Sequence, residues 1–416
     1  MNTPARERPS TSSVTGPSDS PSRRALLRGA GIGAGALALG AAGSGLLSSC
    51  GGSTSSSTGN SSAGAKLKNV KLGWWGATCE APLYVAYHQG FFAREGLKVE
   101  LVNLGQASAK DAIASGKVDG APGITFEWLK PIEQGQDIRV TGGLHGGCLR
   151  LVAAKDKGIT TLADLKGTTI ATDQIGGSAH SFFTVVLANA GIDPTKDVKF
   201  IAYPGAQLET ALTKGEAVAV AAADPFPFLI VSDGKGVELA SNLTGAYADH
   251  FCCAIGLNGA LIDESPQTAA AVTRAWLSAA TWIGSNIDQT AKLEFDNKYV
   301  PIEAAVSAKL LSTYTWKASV TALRANIGQY AQEFAKTGIL DKATDPKKLA
   351  EQAFRDVTGG DVGINPAGPT NGPTPSSTAL GGYGIPRTNT YALTAAQRRQ
   401  LLAYACHHGS SPAGRV

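Results

Sequence analysis

The sequence predicts an α/β fold. Short apolar strands alternate with helices of similar length from residue 70 to residue 223, and this alternation is typical of α/β units with largely parallel sheets. Glycines stand where several of the predicted helices end, as Gly116 and Gly191 do. From residue 265 onward the apolar residues follow helical spacing instead. The length of 416 residues favours two domains.

The predicted elements follow one another in a regular order. Residues 97–102 alternate in polarity as a half-buried strand does, and Pro82 stands in the first turn of the helix predicted over residues 83–89. The other strands are predicted from their apolar content over residues 70–75, 137–141, 169–172, 198–202 and 217–223. The other helices are predicted over residues 109–115, 125–134, 179–190, 207–214, 268–285, 302–311, 322–337 and 346–357.

The first fifty residues carry the pattern of an export signal. A basic segment with paired Arg23 and Arg24 precedes an uncharged run over residues 29–47, and Cys50 follows. The paired arginines resemble a twin-arginine signal, and the Leu-Ser-Ser-Cys sequence that ends at Cys50 resembles a bacterial lipobox, which implies lipidation of this cysteine. A membrane-spanning anchor is the alternative, but it needs about 20 strongly apolar residues and this run is rich in Gly and Ala. We therefore expect a signal peptide over residues 1–49 and an extracytoplasmic lipoprotein at the cell membrane.

Charge and composition limit the classes of function. Residues 1–49 hold five of the 37 Lys and Arg residues and two of the 33 Asp and Glu residues, so the rest of the chain is nearly balanced. No cluster of Lys and Arg indicates a nucleic-acid-binding surface, and we expect no nucleic-acid partner. Residues 50–65 consist almost entirely of Ser, Thr, Gly and Ala, a composition that predicts a flexible tether.

Four sequence segments carry a family resemblance. They are Gly-Phe-Phe-Ala-Arg-Glu-Gly-Leu-Lys-Val-Glu at residues 90–100, Ala-Ile-Ala-Ser-Gly-Lys-Val-Asp at 112–119, Thr-Leu-Ala-Asp-Leu-Lys-Gly at 161–167 and Gly-Gly-Ser-Ala-His at 176–180. In this order they resemble segments of periplasmic substrate-binding proteins of the nitrate/sulfonate/taurine importer type. That family also includes binding proteins and enzymes of thiamine-pyrimidine metabolism. The resemblance covers roughly residues 66–358.

The resemblance implies a two-lobed periplasmic-binding-protein fold of type II. Two crossover strands, near residues 148–153 and 251–256, would form a hinge on which the lobes close around a ligand. Lobe 1 would comprise residues 66–150 plus 255–358, and lobe 2 would comprise residues 151–254. Residues 359–416, which are rich in Gly, Pro, Thr and Asn up to about residue 388, are predicted to form an irregular C-terminal extension.

Candidate ligand-binding residues lie in the loops that follow strands, because ligands of open α/β sheets bind beyond the carboxyl ends of the strands. Adjacent Trp74 and Trp75 cannot both face the core from one strand, so we expect one of them to line the cleft. Gly177 and its neighbours either offer N–H groups at a helix start or form a plain turn. Asp224 either accepts a hydrogen bond from a ligand or caps a helix. The glycine-dense segment over residues 142–148, just before the first crossover, is predicted to be a further candidate loop. The predicted residues are Trp74, Trp75, Thr78, Cys79, Glu80, Thr125, His145, Cys148, Gly176, Gly177, Ser178, His180, Asp224 and Phe226.

Four cysteines of the predicted lobes stand at the borders of the expected cleft. Cys79 follows the first strand, Cys148 enters the first crossover, and Cys252 and Cys253 lie on the return. Outside the cytoplasm they favour disulfides. Buried thiols and a soft-metal site, which His145 or His250 could complete, are the alternatives. The sequence leaves these three interpretations open.

The function expected from the resemblance is that of a lipid-anchored solute-binding protein, a monomer, which delivers a small molecule to the permease of an ABC importer. No catalytic residues and no cofactor are expected. The ligand is either an anion such as nitrate, a sulfonate or taurine, or a thiamine-type pyrimidine, since the candidate loops carry no cluster of Arg or Lys. The alternatives are a metal- or cofactor-binding lipoprotein that uses the cysteines and a pyrimidine-synthase-like enzyme.

Overall fold

The structure, a computed structural model, describes residues 69–105, 108–300 and 302–367. The predicted signal peptide, Cys50 and the predicted tether lie outside these residues, and so does the predicted C-terminal extension beyond residue 367. Among the described helices, none combines the length and the apolar character needed to cross a membrane.

Two five-stranded mixed sheets carry the fold. The first sheet has the order β2-β1-β3-β10-β4 and consists of β1 (Asn69–Trp74), β2 (Lys98–Asn103), β3 (Gly120–Ile124), β4 (Ile138–His145) and β10 (Cys253–Asn258). The second sheet has the order β7-β6-β8-β5-β9 and consists of β5 (Leu149–Ala154), β6 (Thr168–Thr172), β7 (Val198–Ala202), β8 (Ala219–Ala223) and β9 (Gly236–Ser241).

The chain passes between the two sheets twice, over residues 146–148 and over residues 242–252. The strand that follows each passage, β5 or β10, runs antiparallel to both of its neighbours, whereas β1 and β6 pair parallel with theirs. The predicted α/β class with two crossover strands is therefore confirmed.

Helices cover the sheets, and the longest of them, α9, packs on α1, α2 and β4. The described helices are α1 (Ala81–His88), α2 (Phe91–Arg94), α3 (Ala109–Ala114), α4 (Leu129–Glu133), α5 (Ser178–Asn189), α6 (Leu208–Thr213), α7 (Phe226–Ser232), α8 (Gly259–Glu264), α9 (Pro266–Ile283), α10 (Ile287–Asp296), α11 (Ala304–Leu311), α12 (Thr321–Lys336) and α13 (Pro346–Ala353).

Two expectations about local structure are wrong. The helix expected over residues 346–357 ends at Ala353, because Phe354 takes an extended conformation and forms a β-bridge with Val140. The glycine-dense segment expected to be a loop over residues 142–148 continues β4 as far as His145.

A buried tryptophan fixes how β3 and β10 approach each other. Trp128 is 1% exposed, and its indole ring lies over Gly123 of β3 and Gly256 of β10. A Cβ atom at Gly123 would overlap the six-membered ring of Trp128. The two glycines thus leave the space that the ring fills.

Substituting Gly123→Ala is therefore expected to lower the free energy of unfolding by about 1–3 kcal/mol, because the added methyl group overpacks a fixed ring. Gly328→Ala is the matched control: a Cβ there meets nothing within 4 Å in α12, and we expect a gain of about 0.5–1 kcal/mol from helix propensity. Chemical denaturation measures both. Equal effects of the two substitutions would contradict this packing.

The carboxyl group of Glu294 lies in the interior of lobe 1. The side chain is fully buried in α10, and its Oε2 accepts a hydrogen bond of 2.6 Å from the Ser307 hydroxyl. Its Oε1 has no hydrogen-bond partner among the described residues. Burial raises the pKa of Glu294 well above 4.5, and the nearby Glu80 carboxylate raises it further.

A raised pKa means that the folded protein holds this proton more tightly than the unfolded chain does. The stability of the native protein is therefore expected to fall as the pH rises above about 4.5, by as much as about 1.4 kcal/mol per pH unit within the titration window. Glu294→Gln keeps the shape without the charge, so it should match the native protein near pH 4.5 and exceed it in melting temperature at pH 8. Glu351→Gln, on an exposed position of α13, serves as the control. A difference between native protein and Glu294→Gln that does not change with pH would refute the expectation.

Candidate functional site

A cavity of about 600 Å³ lies between the elements of the two sheets. Part of its wall comes from loops of the first sheet and part from Gln174, Ser178 and the end of β8 in the second. Six of the residues predicted from the sequence line it, namely Trp75, Cys79, Glu80, Cys148, Ser178 and Asp224.

Glu80 holds the loop after β1 in place. Its buried carboxylate accepts hydrogen bonds from the backbone N–H groups of residues 75–77 at 2.8–3.2 Å and from the Tyr84 hydroxyl at 2.8 Å. Burial raises the pKa of Glu80 to about 7, against the four hydrogen-bond donors that lower it. The loop so fixed presents Trp75 to the cavity.

Trp74 turns to the other side of β1. Its ring packs edge-on against Tyr84 and Tyr299, with centroid distances of 5.9 Å and 5.1 Å. Trp74 ends β1 and Trp75 opens the loop that Glu80 holds, so the two adjacent rings take different directions and Trp75 is the one that lies at the cavity wall.

Glu127 and Ser178 join the two lobes across the cleft. Glu127 belongs to the 3₁₀ turn that follows β3, and Ser178, the first residue of α5, donates a hydrogen bond from its hydroxyl to the Glu127 carboxylate. Beside them the rings of Phe126 and Phe182 stack at a centroid distance of 5.8 Å. Burial raises the pKa of Glu127, and Lys110 opposes this shift. The two lobes are thus in contact across the cleft.

Asp224 lies at the end of β8 in a buried ion pair. Its side chain is 1% exposed, and its two oxygens accept hydrogen bonds of 2.9 and 3.2 Å from Nε of Arg150. The Tyr314 hydroxyl, from the other lobe, donates to the same carboxylate at 3.3 Å. The alternative expectation of a helix cap is wrong, because α7 begins after Pro225 with no side-chain cap.

The remaining predicted residues do not line the cavity. Thr78 and Thr125 are buried, and Phe226 packs against the core of lobe 2. Nδ1 of His180 accepts a hydrogen bond of 3.2 Å from the Gly176 N–H, and the His180 ring packs on Phe200. The N–H group of this turn is therefore bound by a side chain of α5. A ligand-binding role for them stays a prediction. Those residues are Trp74, Thr78, Thr125, His145, Gly176, Gly177, His180 and Phe226.

Several residues of the wall escape the sequence reasoning, and Glu127 and Trp128 are among them. These two residues follow β3, whose Gly-Ala-Pro-Gly-Ile sequence carries little strand signal. The sequence signal that could have identified Glu127 is an acidic residue shortly after a buried strand, since ligands bind at that end of a strand.

The four cysteines within the described residues divide into a disulfide and two thiols. Cys148 and Cys252 form a disulfide with a Cα–Cα distance of 6.7 Å, and it links the two segments that pass between the sheets. Cys79 and Cys253 are free and both line the cavity. The sulfur atoms of this pair and a ring nitrogen of His145 all lie within 4.8 Å of one another.

His145 is fully buried behind this pair. Its ring stacks on Tyr314 with a centroid distance of 5.2 Å. Nε2 lies 3.1 Å from the carbonyl oxygen of Cys79, and Nδ1 lies 3.4 Å from that of Gly146. Burial lowers the pKa of His145 to about 4, so the ring is neutral near pH 7.

The fold matches those of solved binding proteins. The alkanesulfonate-binding protein SsuA from Xanthomonas axonopodis pv. citri, bound to MOPS, superposes with a TM-score of 0.56 at 19% identity, over 70% of this chain and 99% of that one. The periplasmic nitrate-binding protein NrtA from Synechocystis gives a TM-score of 0.58 at 20% identity, over 70% and 86% of the two chains. These likenesses show the periplasmic-binding-protein fold.

Two curated relatives are also named as binding proteins. The bicarbonate-binding protein CmpA of Synechococcus is 25% identical over 284 residues, which are 59% of this chain and 61% of that protein. The nitrate/nitrite binding protein NrtA of Nostoc is 26% identical over 261 residues, 57% of this chain and 59% of that protein. The chain thus spans about three fifths of the length of these relatives.

The sequence model of the NMT1-like family matches residues 63–294, more than half of the chain. This match covers the whole second sheet, every cysteine of the cavity region and most of the elements that build the cavity. The chain therefore belongs to the NMT1-like family.

Proposed function

We propose that the protein is an extracytoplasmic solute-binding protein of an ABC importer, which captures a small molecule between its lobes and presents the closed form to a membrane permease. The supporting observation is the cavity between the two sheets, bridged by Ser178 and Glu127. Ligands of α/β folds bind at such strand ends, and a ligand that contacts both lobes stabilises the closed state. The names of the relatives agree with this role. Export by the paired arginines, a lipid on Cys50 and a monomeric state belong to the same proposal.

The charges at the cavity wall favour a neutral or cationic solute over an inorganic anion. Three carboxylates line the cavity, from Glu80, Glu127 and Asp224, while Lys110 contributes the one cationic side chain among the described lining residues. Arg150 is bound to Asp224 and so offers its charge to that carboxylate. An anion would lie close to buried carboxyl groups, with little positive charge nearby to offset the repulsion. A planar, thiamine-type pyrimidine could instead donate N–H groups to them.

A binding screen tests the proposal. The purified protein is assayed by thermal shift and by calorimetry against thiamine and simpler aminopyrimidines, and in parallel against nitrate, bicarbonate, taurine and an alkanesulfonate. A rise in melting temperature with a pyrimidine alone is the expected result. Binding of an anion alone would overturn the solute class and keep the transport role. Binding of none of these compounds would count against solute capture itself.

Trp75 is expected to be the main apolar contact of the solute. Its ring lies at the cavity wall on a loop fixed by Glu80, and a stacked aromatic ring with its buried area contributes about 1.5–3 kcal/mol. Trp75→Ala should therefore weaken binding of the solute identified in the screen by about 10- to 100-fold. The control is Tyr87→Ala, which removes an aromatic ring that is 43% exposed on α1. If the two variants bind equally well, Trp75 is not a ligand contact.

A further inference from the structure

We propose that Cys79, Cys253 and His145 form a binding site for a soft or borderline metal ion such as Zn²⁺ at the cavity wall. One ligand atom of each, the two sulfurs and a ring nitrogen, lies within 4.8 Å of the others. A single ion at the centre of this group, with Zn–S distances of about 2.3 Å and Zn–N distances of about 2.0 Å, requires only small movements of the side chains.

Three separate elements hold these residues, and the backbone fixes two of them together. Cys79 lies in the 3₁₀ turn after β1, His145 ends β4, and Cys253 begins β10. Cys253 and His145 are direct partners in the antiparallel pairing of β10 with β4. Opposite residues in such a pair have Cβ atoms about 4.5–5.5 Å apart, so the pairing itself places the thiol beside the imidazole.

The disulfide leaves these two thiols available. Cys148 and Cys252 are consumed by their bond to each other. The Cys253 sulfur lies within 4.8 Å of both disulfide sulfurs as well as of the Cys79 sulfur and a His145 ring nitrogen. The group with Cys79 and His145 is the one in which both thiols are unbonded. Two cysteines that line one cavity and remain unbonded are suited to a metal ion, since thiolates are its preferred soft ligands.

The imidazole of His145 has a lone pair to offer. Each ring nitrogen lies near a backbone carbonyl oxygen, Nε2 near Cys79 and Nδ1 near Gly146. A neutral imidazole carries one N–H group, so one of these contacts is a hydrogen bond and the other sets a lone pair against an oxygen. A metal-binding histidine keeps one nitrogen on the metal while the other donates to a carbonyl group, so binding of an ion would preserve the hydrogen bond and replace the contact of the lone pair.

The donor set defines the class of ion and the shape of the site. Two thiolates and one imidazole suit Zn²⁺ and related soft ions and disfavour Mg²⁺ or Ca²⁺, which prefer oxygen. Three protein ligands leave a fourth tetrahedral position. Because Cys79 and Cys253 line the cavity, that position opens towards the cavity. The site goes beyond solute capture and does not depend on it.

Cobalt titration tests the site directly. The purified protein with its disulfide intact is freed of metal with a chelator and titrated with Co²⁺, whose bonds to thiolates absorb in the near ultraviolet. One equivalent of Co²⁺ is expected to produce this absorption, and Zn²⁺ should abolish it. Cys79→Ser should weaken Co²⁺ binding at least 10-fold. Cys79 is only partly buried, so this variant is expected to fold, which its melting temperature verifies.

A second variant separates the site from the C-terminal sequence Cys406-His407-His408, which could itself bind a metal. Cys406→Ser should leave the cobalt absorption of the cavity site unchanged. Absorption that survives in Cys79→Ser and disappears in Cys406→Ser would overturn the proposal, as would the absence of any thiolate absorption in the native protein. Assaying the solute panel on metal-free protein keeps the two proposals distinguishable: solute binding without metal binding overturns only the metal site, and metal binding without solute binding overturns only solute capture.

Discussion

Substituting Arg150→Ala is expected to lower the free energy of unfolding by about 3–5 kcal/mol, because it leaves a buried carboxylate without its partner. The Arg150 side chain is 8% exposed, and its guanidinium binds Asp224 and, at 2.6 Å, Glu238. Burial raises the pKa of Asp224, and the Arg150 charge is the largest influence that opposes this shift. Without the arginine, Asp224 must be ionised in an apolar surrounding or take up a proton.

The same guanidinium also connects the second sheet to a segment outside it. Its Nη2 donates a hydrogen bond of 2.7 Å to the hydroxyl of Thr313, which follows α11, while Arg150 itself lies in β5 of the second sheet. Arg150→Ala is therefore expected to weaken solute binding as well as folding. A screen that follows the melting temperature with and without solute separates the two effects.

Lys292→Ala is the matched control for the ion pair. Lys292 pairs with Asp296 at 2.6 Å on α10, but the two side chains are 59% and 49% exposed. Pairs of this kind contribute about 0.3–0.5 kcal/mol. The double variant Arg150→Ala/Asp224→Asn should recover part of the loss, since the unpaired charge is gone. If Arg150→Ala cost no more than Lys292→Ala in chemical denaturation, the buried pair would not stabilise the fold.

The strands that sequence patterns predict are those whose own residues carry the signal. The alternation of residues 97–102 predicts β2 to within one residue at each end. In contrast, β3 is not predicted, because Leu257 and Trp128 occupy the space of side chains at Gly120 and Gly123. Packing against residues that are distant in sequence requires glycine at these positions, and a local sequence pattern carries no information about those residues.

The error over residues 142–148 has the same cause. Side chains at Gly142 and Gly143 would meet Leu277 of α9 and Phe251, so the strand needs small residues where it passes beneath them. Glycine usually indicates a loop, yet here it permits close packing in β4. Composition alone does not distinguish the two uses.

Sequence reasoning places loops at the cavity better than it assigns side chains within them. The loop that begins at Trp75 and the strand end at Asp224 both reach the cavity wall, because strand ends meet at one edge of a sheet. What Asp224 binds there depends on Arg150, which is 74 positions away and arrives through the crossover. The division of the cysteines likewise depends on the pairing of β10 with β4. Contacts of this kind are determined by how the strands are connected and paired, which a local sequence pattern does not reveal.

Reducing the disulfide between Cys148 and Cys252 is expected to lower the free energy of unfolding by about 4–5 kcal/mol. The bond joins residues separated by 104 positions, and closing a loop of about 100 residues removes this much chain entropy from the unfolded state. It also ties residues 146–148 to residues 242–252, the two connections between the lobes. Its loss should therefore increase protease cleavage at these connections. The test compares chemical denaturation with and without a thiol reductant.

The variant Cys148→Ser/Cys252→Ser separates this effect from other actions of the reductant. Without reductant it should unfold as easily as the reduced native protein, and added reductant should change it no further. Cys79→Ser should respond to reductant as the native protein does, because Cys79 is not in the disulfide. A reductant that leaves the native protein as stable as before would show that the bond between the connections contributes nothing. If reductant lowered the stability of the double variant as much as that of the native protein, the effect would instead come from the remaining thiols.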